Sequence, residues 1–166
     1  MQAIRLKTEH LFDPMGVDFT APRLYWNCDG GKKQTAYQIV AADDGGSILW
    51  DSGRVERAAM CVKWGGAPVP PKTKVFWQVR LWDEENAAGD WSKASFETGI
   101  GAWSAKWITG DYKINKKERY PVDCFRKAFH TNDVKKARLY ITACGLYEAR
   151  LNGQRVGDFV RAPGIT

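Results

Sequence analysis

The 166-residue chain has only two histidines, His10 and His130, and four cysteines, Cys28, Cys61, Cys124 and Cys144, none of them in a C-x-x-C pair. Zinc sites usually recruit closely spaced ligand pairs, so no metal site is expected, and the thiols read instead as small buried hydrophobes. The chain also lacks a G-x-S-x-G, a Cys/His arrangement and any glycine-rich phosphate loop. These absences remove the usual signs of nucleophilic catalysis and of nucleotide binding. No catalytic, cofactor-binding or metal-ligating residue is therefore expected, and no cofactor. No run approaches the roughly 20 apolar residues that span a bilayer, and the first ten residues hold no apolar signal core. Neither a membrane partner nor secretion is expected, and a reducing, cytoplasmic setting fits four unpaired cysteines.

A helical period is missing too. Before Gly101 no window sustains an i, i+3, i+4, i+7 apolar stripe between caps. What is present is a strand and turn vocabulary: aromatics form 13% of the chain, with eight Trp, inside short alternating segments split by Gly, Pro, Asn and Asp. Tyr37, Ile39 and Ala41 share one face of Thr35–Ala42, and Asp43-Asp44-Gly45-Gly46 then turns the chain into Ser47–Asp51, predicting a hairpin. In Lys74–Asp83, Val75, Trp77, Val79 and Leu81 lie opposite Phe76, Gln78, Arg80 and Trp82. Residues 23–28, 60–64 and 94–98 read as further strands, and the proline-rich Ala67–Pro71 as a loop, since proline cannot donate to a ladder. Strands recurring about every ten residues over ~100 residues predict an all-β fold, a fibronectin type III or immunoglobulin-like β-sandwich, over residues 1–101.

Two glycines, Gly99 and Gly101, mark a boundary, and the charge balance changes there. Residues 1–101 carry 12 Lys and Arg against 13 Asp and Glu, whereas residues 102–166 carry 13 against 6, so the whole +6 arises in the last part. Its charges (Lys116, Lys117, Arg126, Lys127, Lys135, Lys136, Arg150, Arg155, Arg161) are scattered, which suits a solvated face better than a nucleic-acid groove. Residues 124–130, 136–144 and 146–156 read as strands, with a two-residue turn at Asn152-Gly153. They predict the first strands of a second β-sandwich over 102–166, cut short, with partly uncovered Leu139, Ile141, Leu146 and Leu151 and a tendency to self-associate.

Two chemical possibilities need weighing. Asp43-Asp44 and Asp83-Glu84-Glu85-Asn86 could form an acid/base pair or calcium site, but both fall at turns, where Asp and Asn favour the local geometry. Exposed aromatics could stack on sugars or on single-stranded bases. Trp77 and Tyr37 read as core, and burial is also favoured for Trp26, Trp50, Trp64, Trp82, Trp91, Trp103 and Trp107.

Motifs in order along nearly the whole chain now carry a resemblance: Pro22-Arg-Leu-Tyr-Trp26, Leu49-Trp-Asp-Ser-Gly-Arg-Val55, Phe76-Trp-Gln-Val-Arg80, Trp91-Ser-Lys-Ala-Ser-Phe-Glu-Thr-Gly99, Lys136-Ala-Arg-Leu-Tyr-Ile-Thr-Ala-Cys-Gly-Leu-Tyr-Glu148, Leu151-Asn-Gly-Gln-Arg-Val-Gly-Asp158 and Ala162-Pro-Gly-Ile-Thr166. Together they resemble the bacterial α-L-rhamnosidases of glycoside hydrolase family 78; residues 111–121 match no motif of that family. The resemblance implies a longer protein, in which two β-sandwiches precede an (α/α)6 barrel and a C-terminal β domain. It implies an inverting hydrolysis of terminal α-L-rhamnose, with catalytic carboxylates on the barrel beyond Thr166. This chain is then expected to be a non-catalytic N-terminal scaffold whose partner is the rest of the polypeptide, with a rhamnosylated glycoside as the parent's substrate. A carbohydrate-binding module for rhamnose-containing glycans is the alternative, and a basic nucleic-acid binder the least favoured; no nucleic-acid partner is expected.

Overall fold

A strand with alternating apolar residues buries them only by laying that face on another sheet. In the computed structural model, which describes residues 1–113, 115, 117–158 and 162, this requirement arranges the first hundred residues. Their strands are β1 (Gln2–Thr8), β2 (Met15–Val17), β3 (Arg23–Asp29), β4 (Ala36–Asp43), β5 (Ile48–Asp51), β6 (Cys61–Lys63), β7 (Lys74–Trp82) and β8 (Ser92–Thr98). One sheet runs β1-β3-β6, the other β2-β8-β7-β4-β5. All pairs are antiparallel except β2 with β8.

Between the sheets lies one core. β7 contributes Val75, Trp77, Val79 and Leu81, β4 contributes Tyr37, Ile39 and Ala41, and β3 answers from the other sheet with Leu24 and Trp26. Trp26 meets the Tyr37 ring with centroids 5.5 Å apart, and Trp64 meets Phe96 edge-on at 5.9 Å, the tilted geometries that aromatic quadrupoles favour. Val69 in the proline-rich loop is buried as well, so that loop closes one end of the core. The sandwich is all-β, as the alternation predicts.

β1 and β2 were not legible in the sequence. The register of β1 against β3 slips between Ile4 and Lys7, where Arg5 takes a φ of 51°. That bulge puts Ala3, Leu6 and Thr8 all inward, so strict alternation fails over the strand.

The chain divides into compact units at Met1–Ser104 and from Ala105 onward. In the second, β9 (Arg150–Leu151) and β10 (Gln154–Arg155) form the hairpin expected at Asn152-Gly153, with φ values of 51° and 83° that suit a type I′ turn. The strand-like segments 124–130 and 136–144, in contrast, carry no ladder. Alternation specifies a face, but a strand also requires a neighbour to take its N–H and C=O groups. Leu139, Ile141, Leu146 and Leu151 are exposed. Lys116, Arg161 and the motif end Pro163–Thr166 lie outside the described residues.

The thiols correct a second expectation. None is bridged, but only Cys28 is partly buried, and Cys61, Cys124 and Cys144 are exposed. On β6 the inward position belongs to Val62, which leaves Cys61 facing out.

Neighbouring residues of β7 test this architecture. Trp77→Ala is expected to destabilise the sandwich by ~3–5 kcal/mol. Phe76→Ala, on the outward face, should cost less than about 1 kcal/mol. Urea unfolding checks both, and equal losses would contradict the inward and outward assignment.

Candidate functional site

The acidic clusters occupy turns. Asp43 Oδ1 accepts from the N–H groups of Gly45 and Ser47, both at 2.9 Å, and Asp83 Oδ1 accepts from those of Glu85 and Ala87 at 3.0 and 2.9 Å. Each carboxylate thus holds its own hairpin closed. Glu84 does more than the turn reading foresaw: its carboxylate crosses to the β3–β4 loop and accepts from the N–H groups of Lys32 and Lys33 at 3.0–3.2 Å. Among the described residues no three His, Cys, Asp or Glu side chains converge as metal ligands.

A shallow groove of about 350 Å³ opens beside this loop, with Lys32, Gln34, Cys28 and Met60 in its walls. Its floor is already committed. Gln34, buried, accepts from Trp26 Nε1 at 3.1 Å and from the Cys28 thiol at 3.2 Å, and donates to the carbonyls of Arg57 and Ala59. Burial raises the Cys28 thiol above its ordinary value, so it stays protonated as a donor. The groove has polar walls but no free acid and base aimed at a common point.

His10 stands on the outer face of the three-stranded sheet, where Nε2 lies 3.0 Å from the Tyr25 hydroxyl and the rings are 4.3 Å apart. Beside it Arg23 donates through its backbone and guanidinium to Glu9, at 2.6 and 3.0 Å. His130 is exposed in the second unit.

The tryptophans differ widely in exposure. Trp26, Trp64 and Trp77 are core, and Trp50 packs on Trp64 at 5.2 Å. Trp82 points outward by alternation yet is only 6% exposed, because guanidinium groups cover it. Arg54 lies 4.8 Å over Trp82, and Arg80 sits 4.8 Å from both Trp82 and Trp91. The four side chains form a cation–π ladder, further held by Gln38, which accepts from Arg80 and donates to Asp51 Oδ1 at 2.9 Å. Sequence reasoning missed it, although Arg80 and Trp82 share a face two residues apart. The Trp82 ring, covered by two guanidiniums and 6% exposed, is not offered to a ligand. Trp103 and Trp107 are 48% and 71% exposed, against the burial expected for them.

Three carboxylates are held below their ordinary values. Burial would raise Glu9, but the Arg23 hydrogen bonds and charge outweigh it and hold the carboxyl below its ordinary value. Hydrogen bonds from Gln38 and the Gly53 amide lower Asp51, and those from its own amide and the Lys33 and Lys32 amides lower Glu84. A lowered folded value means that the stabilisation is complete above the ordinary carboxylate range and disappears as pH falls through the folded value. The thermal midpoint is therefore expected to be flat near neutrality and to fall below the ordinary glutamate value of 4.5. Glu84→Gln should show a smaller acid-side fall in circular-dichroism melts between about pH 7 and pH 3; superimposable profiles would remove the loop tie from the account.

Comparison with known proteins finds two family matches along the chain. Residues 3–102 match the family model described as Rha78A-like, N-terminal immunoglobulin domain, and residues 132–166 match that of the Alpha-L-rhamnosidase N-terminal domain. An alpha-L-rhamnosidase of Formosa agariphila is 34% identical over 96% of this chain and 19% of its own length. The structure of alpha-L-rhamnosidase from Dictyoglumus thermophilum aligns with a TM-score of 0.61 at 33% identity, over 66% of this chain and 14% of that one. That of Streptomyces avermitilis alpha-L-rhamnosidase complexed with L-rhamnose aligns at 0.59 and 37% identity, over 65% and 12%. The chain thus spans about a fifth or less of the length of these relatives. With the matched region coinciding with the two-sheet sandwich, the chain belongs to the family of Rha78A-like, N-terminal immunoglobulin domains.

Proposed function

We propose that this chain is the non-catalytic N-terminal scaffold of an α-L-rhamnosidase-like glycoside hydrolase. In this reading residues 1–101 are a complete fibronectin-like sandwich, residues 102–166 open a second one, and the catalytic barrel lies elsewhere in a longer polypeptide. The reading rests above all on coverage: relatives called alpha-L-rhamnosidase match nearly all of this chain with a small fraction of their own length. The committed state of its polar groups agrees, since the carboxylates described here close turns, pair with Arg23 or tie loops. The parent would remove terminal α-L-rhamnose with inversion, one carboxyl protonating the leaving oxygen while a carboxylate ~6.5–9.5 Å away activates water. Four unbridged cysteines support a reducing, cytoplasmic location as part of the same proposal.

The test is direct. The isolated chain should hydrolyse no aryl α-L-rhamnoside above the uncatalysed background. Turnover that disappears on substituting a carboxylate of this chain, such as Asp83→Asn, would overturn the scaffold reading.

A further inference from the structure

The outer face of the five-stranded sheet carries exposed apolar side chains between charges of opposite sign on β5 and β8. Paired residues of adjacent strands share a face, so the register orders this surface. One row reads Ile48, Ala42, Phe76, Ser95 across β5, β4, β7 and β8; the next reads Asp51, Val40, Gln78, Lys93. Ile48 is 64% and Phe76 48% exposed, with the half-buried Ala42 between them. Asp51 closes the second row on the edge strand β5, and the exposed Lys93 closes it on β8, ahead of the stretch that pairs with β2. The Gln38 and Gly53 bonds to Asp51 both fall on Oδ1 and keep that carboxylate ionised.

We propose that this face is a self-complementary surface on which a second copy of the chain docks about a twofold axis parallel to the strands, running between β4 and β7. Such an axis reverses strand order while keeping position along the strands. Each copy's β4 then lies over the other's β7, and β5 over β8. Four pairings follow from one operation. Phe76 meets Ala42 of the second copy, a large side chain over a small one; Ile48 meets Ser95; Val40 meets Gln78; and Lys93 meets Asp51, each twice per dimer. A twofold axis across the strands would instead set Lys93 on Lys93 and Asp51 on Asp51, so the charges select the register. The adjoining Arg54–Trp82–Arg80–Trp91 ladder, clamped by Gln38, keeps the flank of the surface rigid. With strands ~4.8 Å apart and ~3.3 Å per residue, the flat contact covers roughly 400 Å² per copy. This is about half the ~800 Å² of a standard interface, and the expected dimer is weak and reversible.

Sedimentation equilibrium of the 166-residue chain tests this, with circular dichroism to confirm that each variant keeps the β spectrum. The parent should show a concentration-dependent monomer–dimer equilibrium. Lys93→Glu should raise the dimer Kd about tenfold, as expected when two exposed ion pairs become repulsions. Phe76→Ser, at an outward position, should weaken the dimer at least as much. Mixing Lys93→Glu chains with Asp51→Lys chains should restore association to parent strength, because the mixed pair has opposite charges at both contacts. Should Asp51→Lys not fold, Lys93→Glu and Phe76→Ser decide the matter between them. A parent monomeric at about 1 mM overturns the proposal, and the face is then left to another domain of a longer polypeptide. Association insensitive to both variants overturns it too, and assigns self-association to the exposed apolar side chains of the second unit. Failure of this dimer leaves the scaffold reading untouched, since the two rest on different surfaces.

Discussion

The inward row of β7 is the constraint on which the first unit depends. Val75, Trp77, Val79 and Leu81 are sealed only because β3 brings Leu24 and Trp26 from the opposite sheet while β4 and β8 flank β7 on both sides. Burying a side chain of Trp or Leu size contributes about 2–3 kcal/mol. Side chains of that size on one central strand account for much of the margin of an ordinary domain. The edges can then be irregular: β1 bulges at Arg5 and β2 spans only Met15–Val17, yet each still delivers its inward residues to the same core.

Most of the polar groups that this core takes out of water are paired, which leaves few of them free for a reactive constellation in the sandwich. Gln34 uses its acceptor on Trp26 and Cys28 and its donors on the Arg57 and Ala59 carbonyls, fastening the segment before β6 to β3. Thr98 receives the Thr73 amide and donates to Pro70, which anchors the proline-rich loop. Trp77 Nε1 and the Thr8 hydroxyl are buried without a partner, a cost that packing in the same core outweighs. A catalytic carboxylate needs an environment that leaves its proton affinity free to be tuned towards a substrate. Here hydrogen bonds and Arg23 instead hold the carboxyls of Glu9, Asp51 and Glu84 below their ordinary values, which favours the anions near neutral pH.

The second unit shows the complementary situation. Its sequence has strand-like alternation and a strong turn, and the Asn152-Gly153 hairpin forms because a two-residue turn brings its own partner strand within reach. Leu139 and Ile141 have no such local partner, and their exposure follows. The same distinction explains the thiols: Cys61 sits in an apolar stretch, but burial is decided by which residue of β6 faces the opposite sheet.

The sequence alone determined the all-β class, the central strands, the hairpin turns at Asp43 and Asn152, and the burial of Tyr37 and Trp77, because period-two alternation and turn chemistry are local properties of the chain. Only the tertiary structure decided that Trp82 is covered while Trp107 is open, that Glu84 serves a loop some fifty residues away, and that β1 joins the sandwich through a bulge. Each of these depends on which side chains a neighbouring strand brings alongside. Such contacts, like that between Glu84 and Lys32, 52 positions apart in the sequence, arise from sheet register and have no signature in the residues adjacent along the chain.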